Sequence, residues 1–246
     1  NSNGFTIGND GYINDSSSDY VSWTFRKQAK FFDIVTYSGT GSAQNINHSL
    51  GQSPGMIIIK STSNSENWQV WHRSVTGNLE LDNTGAINSS SIRITAVSST
   101  NFTLGTFNTS NGSGQTYVAY LFAHNDGDGE FGPDSDQDII KCGSFTTNSS
   151  GHVPEVNLGF EPQWIMIKQT NAANSWYIID NMREYSMSKT AHLIAEGSAA
   201  ESVWGVPYIG VPTATGFDGQ GVASGIANGT FIYMAIRRPQ AAPTDA

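Results

Sequence analysis

The sequence contains one long segment twice, and this duplication limits the chain to folds built from two similar units. Residues 53–73 read SPGMIIIKSTSNSENWQVWHR, and residues 161–181 read EPQWIMIKQTNAANSWYIIDN. Lys60 and Lys168 lie 108 residues apart, and so do Trp68 and Trp176, which follow these lysines by eight residues. An apolar run, a loop rich in Ser, Thr and Asn, and an alternating aromatic stretch are typical of a β-hairpin. Each unit is therefore predicted to contain this hairpin.

A second motif occurs three times, in residues 4–27, 101–124 and 216–238. Each copy ends in a strand-like alternation with one large apolar face, which we expect to point to a core. That face carries Val21, Trp23, Phe25, Val118, Tyr120, Phe122, Ile232, Met234 and Ile236. The opposite face is expected to stay open as a contact surface, with Tyr20, Tyr117, Leu121, Phe231 and Tyr233. The first copy should pair as a strand, either in the first unit's sheet or with a neighbouring chain.

The predicted fold class is all-β, with two tandem homologous antiparallel units that resemble β-sandwiches or jelly rolls. Many short strand-like segments are separated by Gly, Asn and Ser, and no long amphipathic helix is visible. The expected divisions are a closing hairpin of a preceding unit (1–30), unit one (31–124) and an acidic linker (125–137). Unit two (138–239) and a Pro/Ala tail (240–246) follow.

Charge and composition argue against several classes of partner. The 12 Lys and Arg residues are outnumbered by 21 Asp and Glu residues, which gives a formal net charge of −9. The cations form no patch, so nucleic acid is not an expected partner. No apolar run reaches the roughly 18 residues of a membrane span, so membrane insertion is not expected either. Cys142 is the single cysteine and should be a small buried hydrophobic side chain.

The linker is rich in carboxylates and is the one candidate metal site. Asp126, Asp128, Glu130, Asp134 and Asp136 lie close together in the sequence, and hard oxygen ligands on a flexible loop suit Ca²⁺. The spacing does not match an EF-hand. A solvated, self-repelling linker without calcium is the alternative, and no other cofactor is expected.

Four residues of the repeated hairpin are candidates for binding a glycan. Trp71, His72, Tyr177 and Asp180 lie on the second strand of the two hairpins. Trp71 and Tyr177 alternate with residues expected in the core, so their rings should lie on the opposite face, where they could stack on sugars. The core-facing set is Trp68, Val70, Trp176 and Ile178. Burial of the candidate residues in the core is the alternative.

No catalytic constellation is visible in the sequence. The five histidines are scattered, and neither HExxH nor a GxSxG motif in strand–turn–helix context is present. Glu80, Asp82, Glu155 and Glu161 could act as a glycosidase pair only if the fold brought two of them together. The chain is therefore expected not to be an enzyme.

Several segments resemble a known module. DIVTYSGTG, HSLGQSPGMIIIK and SGQTYVAYLFAH, followed by IKCGSF, LGFEPQWIMIK and FIYMAIRRP, are similar to a tandem β-module of unknown function. That module occurs in tail-fibre-like and other virion structural proteins of tailed bacteriophages, often marine or aquatic, and commonly follows a lectin-like or SPRY-like domain. The resemblance covers nearly the whole chain and supplies no catalytic residues.

The resemblance implies a non-enzymatic virion protein, assembled in the host cytoplasm and extracellular in the particle. The expected role is a tail-fibre or appendage component that presents loops to host-surface glycans or receptors. A capsid decoration (cement) protein and a polysaccharide depolymerase domain are the alternatives. The expected partners are other copies of the chain in a homo-oligomer, other virion proteins and host-surface polysaccharide. The trimer number rests on the resemblance alone.

Overall fold

The computed structural model describes residues 4–183, 189–206 and 208–239. Within them almost all regular secondary structure is antiparallel β-strand, grouped in two halves of the same strand order. The predicted all-β fold class is thereby confirmed. The predicted Pro/Ala tail (240–246) lies outside the described residues.

The first half contains a five-stranded sheet and a three-stranded sheet. Its strands are β1 (Phe32–Ser38), β2 (Gln44–Asn47), β3 (Met56–Ser61), β4 (Gln69–His72), β5 (Leu79–Glu80), β6 (Ile94–Val97), β7 (Asn101–Leu104) and β8 (Thr116–Phe122). A single helical turn, α1 (Asn108–Asn111), links β7 to β8. The large sheet has the order β1-β8-β3-β4-β5, and the small sheet has the order β2-β7-β6.

The second half repeats this arrangement with one additional strand. Its strands are β9 (Ile140–Thr146), β10 (Val156–Asn157), β11 (Pro162–Gln169), β12 (Trp176–Asp180), β13 (Thr190–Ile194), β14 (Ser202–Trp204), β15 (Val211–Thr213), β16 (Gly216–Asp218) and β17 (Thr230–Arg237). A 3₁₀ turn, Ser224–Ile226, precedes β17. The large sheet runs β14-β13-β12-β11-β17-β9, and the small sheet runs β10-β16-β15.

The two predicted hairpins form with the same register. Met56 pairs with His72 in the first half, and Trp164 pairs with Asp180 in the second, each 108 residues later. Both apolar runs become central strands, because β3 lies between β8 and β4 and β11 lies between β17 and β12. A central strand that is buried on both faces needs apolar residues at successive positions, which explains the Ile-rich sequences.

The large sheets of the two halves pack against each other. Met56, Ile58 and Phe122 of the first sheet belong to the same buried cluster as Trp164 and Met166 of the second. A separate cluster, around Phe217 and Phe231, lies between the large and small sheets of the second half. The core is therefore continuous across the two halves, and each large sheet is covered on both faces.

The predicted open face of the closing strands was wrong. Tyr117, Leu121, Phe231 and Tyr233 are buried, because the small sheet of each half covers the inner face of β8 or β17. The residues used to argue for an oligomer are therefore internal, apart from Tyr20, which is half exposed. The predicted homo-oligomer loses this support and stays a prediction.

The predicted pairing of the N-terminal strand within the first unit's sheet was wrong, whereas its alternative, pairing with a neighbouring chain, stays a prediction. Residues 4–27 form no strand, although Gln28 makes an isolated bridge to Phe32. Trp23 and Phe25 are partly buried against the core cluster, whereas Tyr20 and Val21 remain exposed. The segment therefore contacts the chain through side chains rather than through a β-ladder.

Two further predictions can be compared with the structure. Cys142 is buried, as expected, and burial raises the pKa of its thiol. Among the residues that the structure describes, no helix is long and apolar enough to cross a membrane.

Candidate functional site

A groove of about 420 Å³ lies at one end of the large sheet of the first half. It brings one predicted glycan residue, Trp71, next to two predicted calcium ligands, Asp126 and Asp128. Trp71 is partly exposed, and both aspartates are exposed. The lining residues are Gln52, Ser53, Pro54, Trp71, Arg73, Val97, His124, Asp126 and Asp128.

Strand pairing explains why these distant residues meet. Met56 at the start of β3 pairs with His72 at the end of β4 and with Phe122 at the end of β8. The loop before β3 therefore lies beside the residues that follow β4 and β8. The loop before β3 supplies Gln52, and the residues after β8 supply the carboxylates of Asp126 and Asp128. Three loops converge at one edge, which is a frequent position for binding residues.

The groove contains a buried acceptor that has no partner. The Gln52 side chain is almost fully buried, and its Nε2 donates to the carbonyl oxygen of His124 at 2.6 Å. Its Oε1 has no hydrogen-bond partner in the structure. A buried acceptor without a donor is energetically unfavourable. This oxygen is covered by the protein, so it is not a contact point on the groove surface.

The two aspartates differ in their surroundings. The carboxylate of Asp128 accepts a hydrogen bond from the Asp126 backbone N–H at 3.0 Å. The carboxylate of Asp126 lies 3.7 Å from the ammonium group of Lys141, at the outer limit of an ion pair. Both carboxylates retain acceptor capacity, because each has two oxygens.

The groove has the chemistry that is needed to hold a sugar. The Trp71 ring offers an apolar face for stacking, whereas Arg73 supplies N–H donors. The carboxylates of Asp126 and Asp128 supply acceptors for hydroxyl groups. An aromatic wall with a few placed polar groups is typical of small-molecule sites.

The structure places the other predicted glycan residues elsewhere. His72 is buried, and its Nε2 lies 3.1 Å from the carbonyl oxygen of Tyr233. Burial lowers the pKa of His72 to about 4, so the imidazole is neutral at physiological pH. The glycan assignment of His72 was wrong, because its side chain packs between the halves.

Tyr177 and Asp180 also make contacts within the chain. The Tyr177 ring packs against His192 and Trp204, with ring centroids at 5.4 and 5.0 Å. Asp180 is buried and accepts hydrogen bonds from Trp23 Nε1 and from Arg183, both at 2.9 Å. The structure therefore does not place these two residues in the groove with Trp71.

The predicted calcium ligands do not converge. Among the described residues, no three His, Cys, Asp or Glu side chains are grouped as a metal site. Glu130 pairs with Lys30 at 2.8 Å, and Asp134 and Asp136 are exposed outside the groove. Asp138, at the end of the linker, accepts hydrogen bonds from the backbone N–H groups of Gly127 and Gly129. Lysines and backbone amides thus occupy places that a cation would need.

Sequence reasoning missed Gln52, Arg73 and His124. Arg73 could have been found, because it follows Trp71 by two residues and alternation places both on one face. Gln52 and His124 meet only through the pairing of β3 with β8, which the sequence does not specify.

The fold and this groove define a tandem β-sandwich protein with a candidate ligand site on its first unit. A family model described as a domain of unknown function (DUF7483) matches residues 1–239, and the chain belongs to this family. No curated protein matches the chain. No solved structure matches it either.

Proposed function

We propose that this chain is a non-catalytic structural module of a tailed-phage virion, in a tail fibre or similar appendage, and that it presents a glycan-binding groove. The observation that carries the proposal is the convergence of Trp71, Asp126 and Asp128 on one groove. The ligand class is host-surface polysaccharide, because neutral and amino sugars combine apolar ring faces with many hydroxyl groups. The assignment to a virion rests on the resemblance of the repeated segments to phage modules.

The extensive β-packing also suits a structural role. The halves share a continuous core, and three N–H or ammonium donors of the second half bond to carbonyls of β5 and of the loop after β5 in the first half. These donors are Trp176 Nε1, Lys168 Nζ and the Asn174 backbone N–H. A rigid two-unit module can hold a groove at a fixed position in an appendage.

The binding part of the proposal is tested with an array of bacterial capsular polysaccharides and O-antigens. The full chain should bind at least one glycan, and Trp71→Ala should weaken that binding by about tenfold or more, since stacked aromatic contacts contribute about 1–3 kcal/mol. Trp68→Ala is the matched control, because Trp68 is a partly exposed tryptophan three residues away and outside the groove. Absence of glycan binding, or equal effects of the two variants, would contradict the glycan proposal.

The location is tested separately by immunogold electron microscopy. Antibodies to the chain should label the tail appendages of virions produced from the genome that encodes it. Label on the capsid shell would instead support the decoration-protein alternative, and virions without label would contradict the virion assignment.

A further inference from the structure

The N-terminal segment, residues 4–27, matches the closing segment of the first half, residues 101–124, without a gap; the two strands of that segment, β7 and β8, lie in different sheets. Residues 4–27 and 101–124 align with a constant spacing of 97 residues. In the first half these residues form β7, α1 and β8. The identical pairs include Phe5 with Phe102, Thr6 with Thr103, Gly8 with Gly105, Asn14 with Asn111, Tyr20 with Tyr117, Val21 with Val118 and Phe25 with Phe122.

The N-terminal segment also has the local hydrogen bonds of the closing segment 101–124. Asn14 Nδ2 donates to the carbonyl oxygen of Gly8 at 2.8 Å, and Asn111 Nδ2 donates to Gly105 at 2.7 Å. Both asparagines lie 97 residues apart, as do both glycines. The turn between the two strand-like parts is therefore held in the same way in each copy.

Two further pairs of contacts agree in the same register. The backbone N–H of Asn14 donates to the Asp10 carbonyl oxygen, as that of Asn111 does to Phe107. The Tyr20 hydroxyl accepts from the backbone N–H of Asp15 at 3.1 Å, and the Tyr117 hydroxyl accepts from that of Gly112 at 2.8 Å. Three equivalent contacts show that the N-terminal segment has the local shape of the closing segment 101–124, although no sheet surrounds it.

The two copies differ in what covers their inner face. Phe5 is 60% exposed, whereas Phe102 is 0% exposed. Tyr20 is 50% exposed, whereas Tyr117 is 1% exposed. Ile7 is 44% exposed, and its counterpart Leu104 is fully buried. The residues that form a sandwich interior in the first half are thus uncovered in the N-terminal segment.

The outer face of the segment already packs against this chain, as the outer face of β8 does. In β8 the outer residue Phe122 belongs to the cluster shared by the two halves. Its counterpart Phe25 packs against that same cluster, with the Trp164 ring at 5.9 Å, and the Trp23 indole donates to Asp180. The segment therefore contacts this chain through Trp23 and Phe25 of its outer face, and it leaves its sandwich-interior face free together with Val21 of the outer face.

We propose that residues 4–27 are a preformed closing segment, equivalent to residues 101–124, whose partner is a β-sandwich unit of this architecture without its own closing strands. In that complex residues 20–25 lie between strands equivalent to β1 and β3, as β8 does here. Phe5 and Ile7 then pack in the sandwich interior, as Phe102 and Leu104 do. The inference does not depend on glycan binding.

A second copy of this chain does not fit as the partner. In the first half β8 fills the position between β1 and β3, and in the second half β17 fills the position between β9 and β11. An acceptor needs that position vacant, because a strand can pair with only two neighbours in a sheet. The partner is therefore an incomplete unit and not a finished one.

The test is a full-length chimera in which the sequence of residues 4–27 replaces residues 101–124. The chimera should fold, with cooperative thermal unfolding and the near-ultraviolet circular dichroism of a packed core. Its midpoint should be lower than that of the parent, because Thr24 and Arg26 would replace the buried Leu121 and Ala123. A second chimera with these two positions returned to Leu and Ala should recover to within about 10 °C of the parent. Loss of cooperative unfolding in both chimeras overturns the proposal.

A matched control places Asp at the Phe5 and Tyr20 positions of the graft. This chimera should not fold, because carboxylates would enter a sandwich interior. Its folding as well as the unaltered graft would overturn the proposal. Light scattering on the native chain with Phe5→Asp and Tyr20→Asp should leave its oligomeric state unchanged. Dissociation of an oligomer in that variant would identify a second copy as the partner and also overturn it.

Discussion

The ammonium group of Lys168 donates to the carbonyl oxygen of Thr84 at 2.9 Å, and this bond joins the two halves of the chain. Lys168 also bonds to the carbonyl oxygen of Asn174, six residues later, as Lys60 does to that of Glu66. Lys60 makes only the local bond to Glu66, without a counterpart of the bond from Lys168 to Thr84, and it is partly exposed. The same lysine therefore closes the hairpin in both units, and in the second unit it also holds the neighbouring half.

Burial of Lys168 should make stability rise between about pH 8 and 10. Burial lowers the pKa of Lys168 to about 8, so the unfolded chain binds more protons than the folded chain above pH 8. The free energy of unfolding must then increase with pH through this window, by about 2 kcal/mol. The measurement is urea unfolding of the parent and of Lys168→Met at pH 7.5, 8.5, 9.5 and 10.

The comparison with the variant isolates Lys168 from other groups. Burial raises the pKa of Cys142, so part of the stability is lost above about pH 9 in both proteins. The difference between parent and Lys168→Met should nevertheless grow steadily from pH 8 to 10. Lys60→Met is the control and should keep the pH dependence of the parent. A constant difference between parent and Lys168→Met would show that the ammonium group is not desolvated.

The sequence predicted the hairpins well because their signal is local. Spacing and alternation determined that Ile57–Lys60 and Ile165–Lys168 are strands, and the equal register follows from the equal spacing. Alternation also separates the two faces of β8, but it does not state how many layers cover them. Sandwich-like units were predicted, but the complete covering of the inner face by the small sheets was not, since a strand such as QNIN in β2 has little apolar signal.

The candidate site was predicted only in part for a related reason. Alternation correctly placed Trp71 away from the interface between the halves, and it places His72 on the same face as Val70, which was expected in the core. His72 was nevertheless chosen as a glycan residue, and its burial against Tyr233 of the second half corrects that choice. The groove itself depends on pairing between strands that are distant in sequence, so Gln52 could not be assigned to it beforehand.

Trp176 and Trp68 provide a matched test of the contact between the halves. Trp176 is fully buried, and its Nε1 donates to the carbonyl oxygen of Glu80 at 2.8 Å. Trp176→Phe removes this donor and should lower the free energy of unfolding by about 1–3 kcal/mol, because a buried acceptor loses its partner and a cavity forms. Trp68→Phe makes the same chemical change at the equivalent, partly exposed position and should cost about 0.5 kcal/mol or less. Chemical unfolding measures both, and equal losses would contradict a bridging role for Trp176.

Gly55 tests how closely the halves approach. A Cβ at Gly55 would lie 2.7 Å from the Sγ of Cys142 and 2.8 Å from the carbonyl oxygen of Ala123. Gly55→Ala should therefore destabilise the chain by about 1–3 kcal/mol through overpacking. Gly205→Ala is the control, since no atom lies within 4 Å of its added Cβ, and its effect should stay within about 0.5 kcal/mol. If thermal unfolding showed no difference between the two variants, the close approach of Gly55 to Cys142 would be refuted.

The buried His72 should make the chain sensitive to mild acid. Burial lowers the pKa of its imidazole to about 4, from 6.5, so the unfolded chain binds an additional proton between these values. The free energy of unfolding should consequently fall by about 3 kcal/mol as the pH drops from 6.5 to 4. His72→Gln, which can still donate to the Tyr233 carbonyl, should reduce this loss, whereas exposed His152→Gln should not.

Two other groups, His192 and Asp33, also contribute to the pH dependence of the free energy of unfolding, and their contributions must be separated from that of His72. Burial also lowers the pKa of His192, so part of the acid sensitivity should persist in His72→Gln. The pKa of Asp33 is lowered as well, despite its burial, by hydrogen bonds from Lys27 and from backbone N–H groups; its stabilisation disappears only below the usual pKa of 3.8. Urea unfolding at pH 4.5, 5.5 and 6.5 therefore reports the histidines and not this carboxylate. An unchanged pH dependence in His72→Gln would mean that His72 is protonated in the folded chain, and that the two halves are not packed around a neutral imidazole.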